Sequence, residues 1–324
     1  MVVDSMATAQ TSEMTDFDVV VVGGGAAGLS AALMLSRARR RVLVVDAGVP
    51  RNSPATHMHG FLSRDGMAPA ELLAVGRNEV KGYGCEVRTG VVAEVASADP
   101  SEFLLVLDGG LRLSARRLLV ATGLRDELPE VGGLRDRWGR DVLHCPYCHG
   151  YEVREQPVGF LGGPPDAVRY ALIVRQWSDD VVFFAPTATL SATERLQLAA
   201  RAIDVVEGTV KRVLVENDRL CGVALEDGRA VRRQALFVPP RFVPNDSLLV
   251  GLGCEIDESG WVRSDVSGRT TVPGVWVAGN VANPRAHVIA AAGEGCAAAI
   301  AINADLVDEE VSTAVRTAQN GLLT

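Results

Sequence analysis

The apolar positions near the start of this chain form short runs separated by a stretch with helical periodicity. An apolar run at Val19–Val22 is typical of a buried parallel strand. The segment Ala26–Arg37 has the character of a helix, and a second apolar run follows at Arg41–Val45. A strand, a helix and a second strand in this order predict a βαβ unit.

Three glycines connect the first strand to the helix with the spacing G-x-G-x-x-G. In such a turn the first glycine allows the bend, the second lets the backbone approach a pyrophosphate, and the third lets helix and strand pack closely. The helix N-terminus then faces the phosphates. An aspartate ends the second strand, at the position where a carboxylate accepts a hydrogen bond from a ribose hydroxyl. Because a carboxylate disfavours the 2′-phosphate of NADP, the turn predicts FAD or NAD. The predicted contacts are Gly23, Gly25, Ala26, Ala27, Gly28 and Asp46.

Composition narrows the class of protein. The chain has 324 residues, 48% of them hydrophobic, which suggests about two domains, and its net charge of -8 argues against a nucleic-acid binder. No apolar run reaches the roughly 18 residues of a membrane-spanning helix. Residues 1–15 lack the basic and apolar regions of a secretory signal. We therefore expect a cytoplasmic protein with a disordered tail at residues 1–15 and no membrane association.

Two of the six cysteines stand two residues apart in the motif HCPYCHG. Cys145 and Cys148 could form a metal site, a structural disulfide or a redox pair. The other four cysteines are isolated, and His144 and His149 adjoin the thiols too closely to complete a zinc tetrahedron. A CxxC at a helix start lowers a thiol pKa, because the helix N-terminus and a nearby imidazolium favour the thiolate. The motif therefore favours a redox pair and predicts no metal.

Two later strand ends complete a pattern found in a known family. One strand ends in ATG at residues 121–123, and another, Gly274–Ala278, precedes Gly279, Asn280 and an alanine-rich helix. With the glycine turn and the CxxC, these features resemble the thioredoxin reductase-like, FAD-dependent disulfide oxidoreductases over nearly the whole chain. In that family an aspartate at the position of Asn280 meets the ribityl chain of FAD, and an amide can also bond its hydroxyls.

The resemblance implies an α/β fold of two Rossmann-like dinucleotide-binding domains, the second inserted in the first. The FAD-binding domain would comprise residues 16–127 and 244–316, and the inserted NAD(P)H-like domain, which carries the CxxC, residues 128–243. A turn-rich segment after the second strand would cover the flavin. The further FAD contacts that the resemblance implies are Asn52, His59, Gly60, Ala121, Thr122, Gly123, Gly279, Asn280, His287 and Val288.

The nicotinamide site of the inserted domain departs from the family pattern. The predicted strand Val158–Leu161 runs into Gly-Gly-Pro-Pro-Asp at residues 162–166, so Pro164 stands where the fingerprint needs its second glycine. Proline has no amide N–H and a fixed φ, and the aspartate adds a repelling charge. The segment after the next strand also lacks the arginine pair for a 2′-phosphate. We expect a folded domain with a degenerate nucleotide site.

The resemblance also assigns roles to the redox motif. Cys148 would be the sulfur nearer the flavin, Cys145 would exchange with substrate, and His149 or His144 would move the proton. A histidine does so in either direction near neutral pH. The CxxCH motif and the degenerate nicotinamide site look most like the dithiol oxidases of the holomycin and gliotoxin type, which implies a small-molecule dithiol as substrate and O2 as acceptor.

Two other functions remain open from the sequence. One is a thioredoxin reductase-like enzyme that reduces a thioredoxin-type protein with NADPH, ferredoxin or another donor. The other is a non-catalytic FAD-binding redox sensor, which the presence of both cysteines disfavours. The family resemblance further implies a homodimer.

Overall fold

The computed structural model describes residues 15–99, 102–186 and 190–321. The predicted tail up to residue 14 lies outside the described residues, and Thr15 already belongs to the first strand. The strands are β1 (Thr15–Val22), β2 (Val42–Asp46), β3 (Glu86–Thr89), β4 (Val92–Asp99), β5 (Glu102–Leu107), β6 (Arg112–Val120), β7 (Leu124–Glu127), β8 (Val142–Leu143), β9 (Val158–Leu161), β10 (Val181–Ala185), β11 (Ile203–Glu207), β12 (Val210–Glu216), β13 (Arg219–Leu225), β14 (Ala230–Arg232), β15 (Ala235–Phe237), β16 (Arg241–Pro244) and β17 (Val275–Val277). The α-helices are α1 (Ala26–Arg37), α2 (Pro69–Gly82), α3 (Pro146–His149), α4 (Ala167–Val174), α5 (Ala192–Ala200), α6 (Ser247–Gly251) and α7 (Val288–Gly321).

The chain divides into two compact units. The first unit holds the described chain up to Val49, Leu73–Gly123, and the described chain from Pro244 onward. The second unit holds Pro50–Leu72 and Leu124–Val243. The stretch Leu124–Val243 is thus inserted between the second and third parts of the first unit. Both units belong to the mixed α/β fold with parallel sheets that the sequence predicts.

The first unit is built on a sheet whose central strands are parallel. β1 pairs with β2 and β6, and β2 also pairs with β3. The other edge of β6 pairs first with antiparallel β5 and then with parallel β17. Val19–Val22 are buried with alternate residues in two separate clusters of the core, one on each face. A strand buried on both faces is a continuous apolar run, which is why the pattern predicted it.

Helix α7 packs against α1 through small residues. A Cβ on Gly295 would lie 2.0 Å from the carbonyl oxygen of Ala27, so the two helices approach more closely than a larger residue allows. By length and composition, Val288–Asn320 is the one helix of the described residues that could cross a membrane. Its buried residues, which include Ala298, Ile302 and Leu306, belong to the core of the first unit, whereas Ile300 and Val307 are exposed.

The second unit contains a parallel sheet in the order β11-β10-β9-β15-β8, beside an antiparallel sheet β12-β13-β14. Strand β9 has the predicted bounds, and α4 follows it after a turn. The predicted strand, turn and helix of the inserted domain are therefore present.

The segment Pro50–Leu72 differs from the predicted domain organisation. The sequence places it in the FAD-binding domain, whereas in the structure it groups with the second unit. The physical reason is a set of side-chain contacts made by Arg51. Its Nε and Nη2 atoms donate to the two carboxylate oxygens of Asp126, at 2.9 and 2.7 Å. Its guanidinium carbon lies 5.0 Å from the centroid of the Phe242 ring. The first boundary also falls slightly earlier than predicted, between Gly123 and Leu124.

Candidate active site

The CxxC motif begins a short helix in the second unit. Cys145 is the N-cap of α3, and Pro146 occupies the first helical position, where its missing N–H costs no hydrogen bond. The backbone N–H of Cys148 donates to the Cys145 sulfur at 3.2 Å. Both cysteines are free thiols whose sulfur atoms lie within 4.8 Å of each other. The motif therefore lies at a helix start, as its sequence predicts.

The two thiols have opposite electrostatic environments. A hydrogen bond from the Cys148 side chain lowers the pKa of Cys145, and the amides of Cys148 and Tyr147 and the charge of Arg51 act in the same direction, against the effect of burial. The pKa of Cys148 is raised, because it shares its proton with Cys145 and because burial and the charge of Cys145 oppose a second thiolate. Cys145 is therefore the thiol of the reduced pair that loses its proton first as the pH rises.

The two histidines of the motif are held in different ways. His149 ends α3; burial lowers its pKa, the carboxylate of Glu152 raises it, and the charge of His59 lowers it. The Nδ1 atom of His149 is buried and has no hydrogen-bond partner among the described residues. His144 packs edge-on against Phe242, with ring centroids 5.0 Å apart. His149 thus follows Cys148 directly, and its Nδ1 atom accepts no hydrogen bond from, and donates none to, the described residues.

His59 and Gly60, predicted as cofactor contacts, lie on a loop of the second unit. His59 Nδ1 lies 3.2 Å from Asp65 Oδ2 and its Nε2 lies 3.4 Å from Glu152 Oε1. The amide of Gly60 donates to Asp65 at 2.8 Å. Asn52, the third predicted contact of this segment, closes a turn through its carbonyl to the amide of Ala55. These three residues stay predicted cofactor contacts.

Sequence reasoning missed Arg51, Asp65 and Glu152. Glu152 follows His149 by three residues, a spacing that brings side chains together on one face of a helical turn, and this was the available signal. Arg51 and Asp65 reach the site only through the fold of the segment 50–72, and no spacing in the sequence indicates them.

The glycine turn of the first unit fits the pyrophosphate of FAD. Gly23 has a φ of +109°, and a Cβ there would lie 2.4 Å from the carbonyl oxygen of Ala121. A Cβ on Gly28 would lie 1.9 Å from the carbonyl oxygen of Gly23, whereas a Cβ on Gly25 would meet no atom within 4 Å. Helix α1 begins at Ala26 with no side chain capping it, so its first amides can bind phosphate.

The strand register brings the other predicted FAD contacts of this unit to the same edge of the sheet. Val120, at the end of β6, is in register with Val22 of β1 and with Val277 of β17. The glycine turn, the ATG segment at 121–123 and Gly279 therefore leave the sheet side by side. Thr122 is held there by two hydrogen bonds with Asn245, at 2.7 and 3.0 Å.

Asp46 ends β2 beside the glycine turn and already has two partners. Its Oδ1 accepts from the amide of Gly24 at 3.1 Å, and its Oδ2 pairs with the guanidinium of Arg77 at 3.0 Å. The carboxylate is thus oriented before any ribose binds. Arg77, on α2, was missed because nothing in its sequence spacing connects it to β2.

Asn280 has a structural task in addition to its predicted contact with FAD. Its side-chain amide donates to the carbonyl oxygens of Asn283 and Ala286, at 2.9 and 3.0 Å, and so holds the loop before α7. His287 accepts the first helical bond, from the amide of Ala291 at 2.8 Å, and Val288 opens the helix. His287 and Val288 therefore lie at a helix N-terminus, as predicted.

The turn after β9 leads into a cavity of about 360 Å³ in the second unit. Its lining residues are Glu127, Leu128, Pro129, Leu161, Gly162, Gly163, Pro164, Pro239 and Arg241. The two charged residues of this lining, Glu127 and Arg241, are paired with each other. Helix α4 begins after the turn at Ala167, whose amide donates to the carbonyl oxygen of Pro164 at 3.0 Å. Part of the loop after β10, residues 187–189, lies outside the described residues.

Comparisons with known proteins place this architecture in a family. The chain matches the family described as pyridine nucleotide-disulphide oxidoreductase over residues 17–295. It is 30% identical to thioredoxin reductase sirT of Leptosphaeria maculans, over 89% of this chain and 93% of that protein. Thioredoxin reductase tcpT of Claviceps purpurea is 32% identical over 81% of this chain and 86% of its own length.

A solved structure extends the similarity to the whole fold. The protein in the crystal structure of HlmI is 57% identical in sequence to this chain. The two structures superpose with a TM-score of 0.92, over 95% of this chain and 98% of the HlmI chain. The family match, the relatives and the residues that fit FAD agree with one another. This chain therefore belongs to the pyridine nucleotide-disulphide oxidoreductase family, as a thioredoxin reductase-like, FAD-dependent disulfide oxidoreductase.

Proposed function

We propose that this protein is a dithiol oxidase, which closes the disulfide of a small-molecule dithiol and uses O2 as the final electron acceptor. The observation that carries the proposal is the turn after β9, where Pro164 and Pro165 replace residues whose amides would bind the pyrophosphate of a nicotinamide nucleotide. An enzyme that oxidises a dithiol needs no nicotinamide. The CxxCH motif supports the same direction of electron flow, and the 57% identity to HlmI, a neighbour of the holomycin type, supports a small-molecule dithiol as substrate.

The chemistry at the thiols begins from the Cys145–Cys148 disulfide. A substrate thiolate attacks Cys145 and forms a mixed disulfide, and Cys148 leaves and takes up a proton. The second substrate thiol then attacks the mixed disulfide, and Cys145 leaves as a thiolate. A thiol of lowered pKa is the better leaving group, so this order suits the pKa of Cys145.

The protons balance in this scheme. The substrate dithiol brings two protons: Cys148 keeps one, and His149 accepts the other on its imidazole. Burial lowers the pKa of His149 and so favours the neutral form that can accept a proton. FAD, when bound, supplies a two-electron acceptor that returns the cysteines to the disulfide and is itself reoxidised by O2, with H2O2 as product. His144 is the second candidate for the proton-transfer role.

The cofactor contacts and assembly form part of the proposal. FAD would be held by the residues that the sequence predicts, Gly23, Gly25, Ala26, Ala27, Gly28, Asp46, Asn52, His59, Gly60, Ala121, Thr122, Gly123, Gly279, Asn280, His287 and Val288. We propose a cytoplasmic homodimer, which is supported by the family resemblance.

The second candidate function is reduction of a thioredoxin-type protein. It is favoured by the relatives named thioredoxin reductase and by the intact parallel sheet of the second unit. The two candidates differ in nucleotide affinity. Each charge-assisted hydrogen bond contributes about 1.5 to 3 kcal/mol, so losing two amide donors at Pro164 and Pro165 would weaken NADPH binding by about a hundredfold or more.

Anaerobic titration of the FAD-loaded protein tests the proposal. We expect dithiothreitol to bleach the flavin absorbance stoichiometrically and air to restore it with formation of H2O2, while NADPH at micromolar concentration bleaches nothing. The variant Cys145→Ser should not respond to dithiothreitol, and Cys221→Ser, on β13, is the matched control that should respond normally. Stoichiometric bleaching by low-micromolar NADPH would establish the reductase instead.

A further inference from the structure

Helix α7 has a second apolar face, which points away from the core of the first unit. Apolar residues follow one another along this face at alternating steps of four and three residues, the spacing of a coiled-coil seam. They are Ile300, Ala304, Val307, Val311, Ala314 and Ala318, and all six are exposed. The side chains of Ile300 and Val311 are 58% and 55% exposed. We call this set the α7 stripe.

The opposite side of α7 is fixed, so the stripe cannot turn inward. Ile302 and Leu306 are fully buried in the core of the first unit. Arg117, on β6, donates to Asp305 and to Glu309, at 2.6 Å in both cases. Core packing and the ion pairs of a buried arginine therefore hold the helix with the α7 stripe facing solvent.

The end of α7 has no packing within one copy of the chain. Every residue from 310 to 320 is exposed, so about three turns of helix bury no side chain against the described residues. Helices in proteins obtain most of their stability from the packing of an apolar face. A long apolar stripe without charged residues is also typical of an interaction surface. The α7 stripe therefore has the properties of a helix face that a partner covers.

The charges of α7 disfavour a membrane as this partner. Helices that lie on membranes carry lysine and arginine beside their apolar face. Helix α7 contains five acidic residues and a single basic residue, Arg316. Its charge therefore opposes binding to an anionic lipid surface.

The length of the stripe indicates a second copy of this chain. The next longest helix of the described residues, α2, has 14 residues, whereas α7 has 34. Residues 1–14, the longest stretch outside the described ranges, could supply at most about 21 Å of helix. In a two-fold symmetric dimer one surface meets the same surface of the other copy, so α7 finds a partner of equal length and matching spacing.

We propose that the α7 stripe packs against the α7 stripe of a second copy of this chain, in antiparallel orientation with Ile300 opposite Val311. Two helices that cross a two-fold axis on the surface of a dimer run antiparallel. The paired length then extends from Gly293 to Ala318. This interface goes beyond the proposed function and does not depend on the reaction that the protein catalyses.

The acidic residues beside the stripe select this register. With Ile300 opposite Val311, Asp308 and Glu310 face Ala301 and Asn303 of the second copy, and no like charges meet.

A pair centred on residue 309 would instead place Asp308 against Asp308 and Glu310 against Glu310. Charges that flank a helix seam set its register in this way. Glu310 is also neutralised within its own chain by Arg40 and Arg116, at 2.5 and 2.9 Å.

The area of the stripe sets the expected strength. A paired length of about 38 Å and a width of about 10 Å give about 400 Å² on each copy, near the lower end for specific interfaces. We therefore expect a reversible dimer with a dissociation constant in the micromolar range.

Sedimentation equilibrium of the FAD-loaded protein from about 1 to about 100 µM tests the interface. The variant Val311→Glu places an unpaired carboxylate in it twice, once from each copy. We expect a loss of about tenfold from each copy, so the dissociation constant rises by about a hundredfold or more. Thr313→Glu is the matched control, because it adds the same charge to an exposed position on the other side of the same helix and should leave association unchanged. Both variants should bind FAD and unfold thermally like the wild type.

Cross-linking tests the orientation. On oxidation, the double variant Ile300→Cys/Val311→Cys should form a disulfide-linked dimer on a non-reducing gel, because each new cysteine then faces the other one in the second copy. Neither single variant should form it, and a linked dimer from Val311→Cys alone would show a parallel pair and overturn the arrangement.

Three further results would overturn the proposal. One is a wild type that stays monomeric over the whole concentration range, and another is a Val311→Glu variant that associates as the wild type does. The third is flotation of the wild type, but not of Val311→Glu, with vesicles of phosphatidylcholine and phosphatidylglycerol, which would make the stripe a membrane-binding face. None of these measurements uses a dithiol or a nicotinamide, so the interface and the proposed function fail separately.

Discussion

The backbone amide of Cys148 donates a hydrogen bond to the sulfur of Cys145 at 3.2 Å, so the first cysteine of the motif caps the helix that contains the second. The sulfur at the N-cap receives an amide and the positive end of the local backbone dipoles, while the other sulfur keeps its proton. This relationship distinguishes the electrostatic surroundings of the two thiols.

We expect the reduced protein to be alkylated first at Cys145. A lowered pKa means that Cys145 is a thiolate at lower pH than a free cysteine, and the raised pKa of Cys148 keeps its alkylation slow through the neutral range. Peptide mapping after brief iodoacetamide treatment between pH 5 and 9 measures both sites. In Cys148→Ala, which removes the largest cause of the lowered pKa, Cys145 should require higher pH. Faster labelling of Cys148 in the wild type would contradict this assignment.

The glycine turn predicts different effects for two alanine substitutions. Gly25→Ala adds a Cβ that meets no protein atom, so the FAD-free protein should lose less than about 1 kcal/mol of stability while its FAD affinity falls. Gly28→Ala places a Cβ 1.9 Å from the carbonyl oxygen of Gly23, and the resulting overpacking should cost about 1–3 kcal/mol or more even without FAD. Thermal unfolding of FAD-free protein and FAD titration measure the two effects. Equal destabilisation by both substitutions would refute the distinction.

The pairing of Asp46 predicts a graded loss of FAD affinity. Asp46→Ala removes the expected ribose acceptor and its bond to Gly24, and the loss of one charge-assisted hydrogen bond should weaken FAD by about ten- to a hundredfold. Arg77→Gln only loosens the orientation of the carboxylate and should have a smaller effect. Fluorescence titration of FAD-free protein gives the dissociation constants. If Arg77→Gln bound FAD more weakly than Asp46→Ala, the proposed roles of the two residues would be reversed.

The hydrogen bonds of Asn280 predict that replacing it with aspartate, the residue found at this position in the family, lowers the stability of the protein. Asn280→Asp replaces two donated hydrogen bonds with a carboxylate facing two carbonyl oxygens, so it should destabilise the protein by about 1–3 kcal/mol. Asn280→Ala should cost less, because it adds no repulsion. The defect of the aspartate variant should shrink at low pH, where the protonated acid can donate again. Denaturant unfolding at pH 4.5 and 7.5 checks this, and a variant as stable as the wild type at both values would show that these bonds contribute little.

Several features follow from local sequence alone. Helix α1 has the predicted bounds Ala26–Arg37, and β9 has the predicted bounds Val158–Leu161, because a short apolar run and a glycine turn constrain the backbone within a few residues. The position of the CxxC at a helix start is local in the same sense. The family, the α/β fold and FAD could also be predicted, since their motifs are contiguous or lie at strand ends.

Other features depended on contacts between residues far apart in the chain. The segment Pro50–Leu72 joins the second unit because Arg51 pairs with Asp126, and Arg77 reaches Asp46 from a separate helix. His59 acquires its two carboxylates only when its loop closes and meets the turn after α3. Hydrophobic periodicity and motif spacing report backbone conformation, but they do not report which charged side chains meet across 30 or more residues of sequence. The sequence by itself therefore determined α1, β9 and the cofactor and predicted a redox pair, and the tertiary structure decided the electrostatic surroundings of the two cysteines.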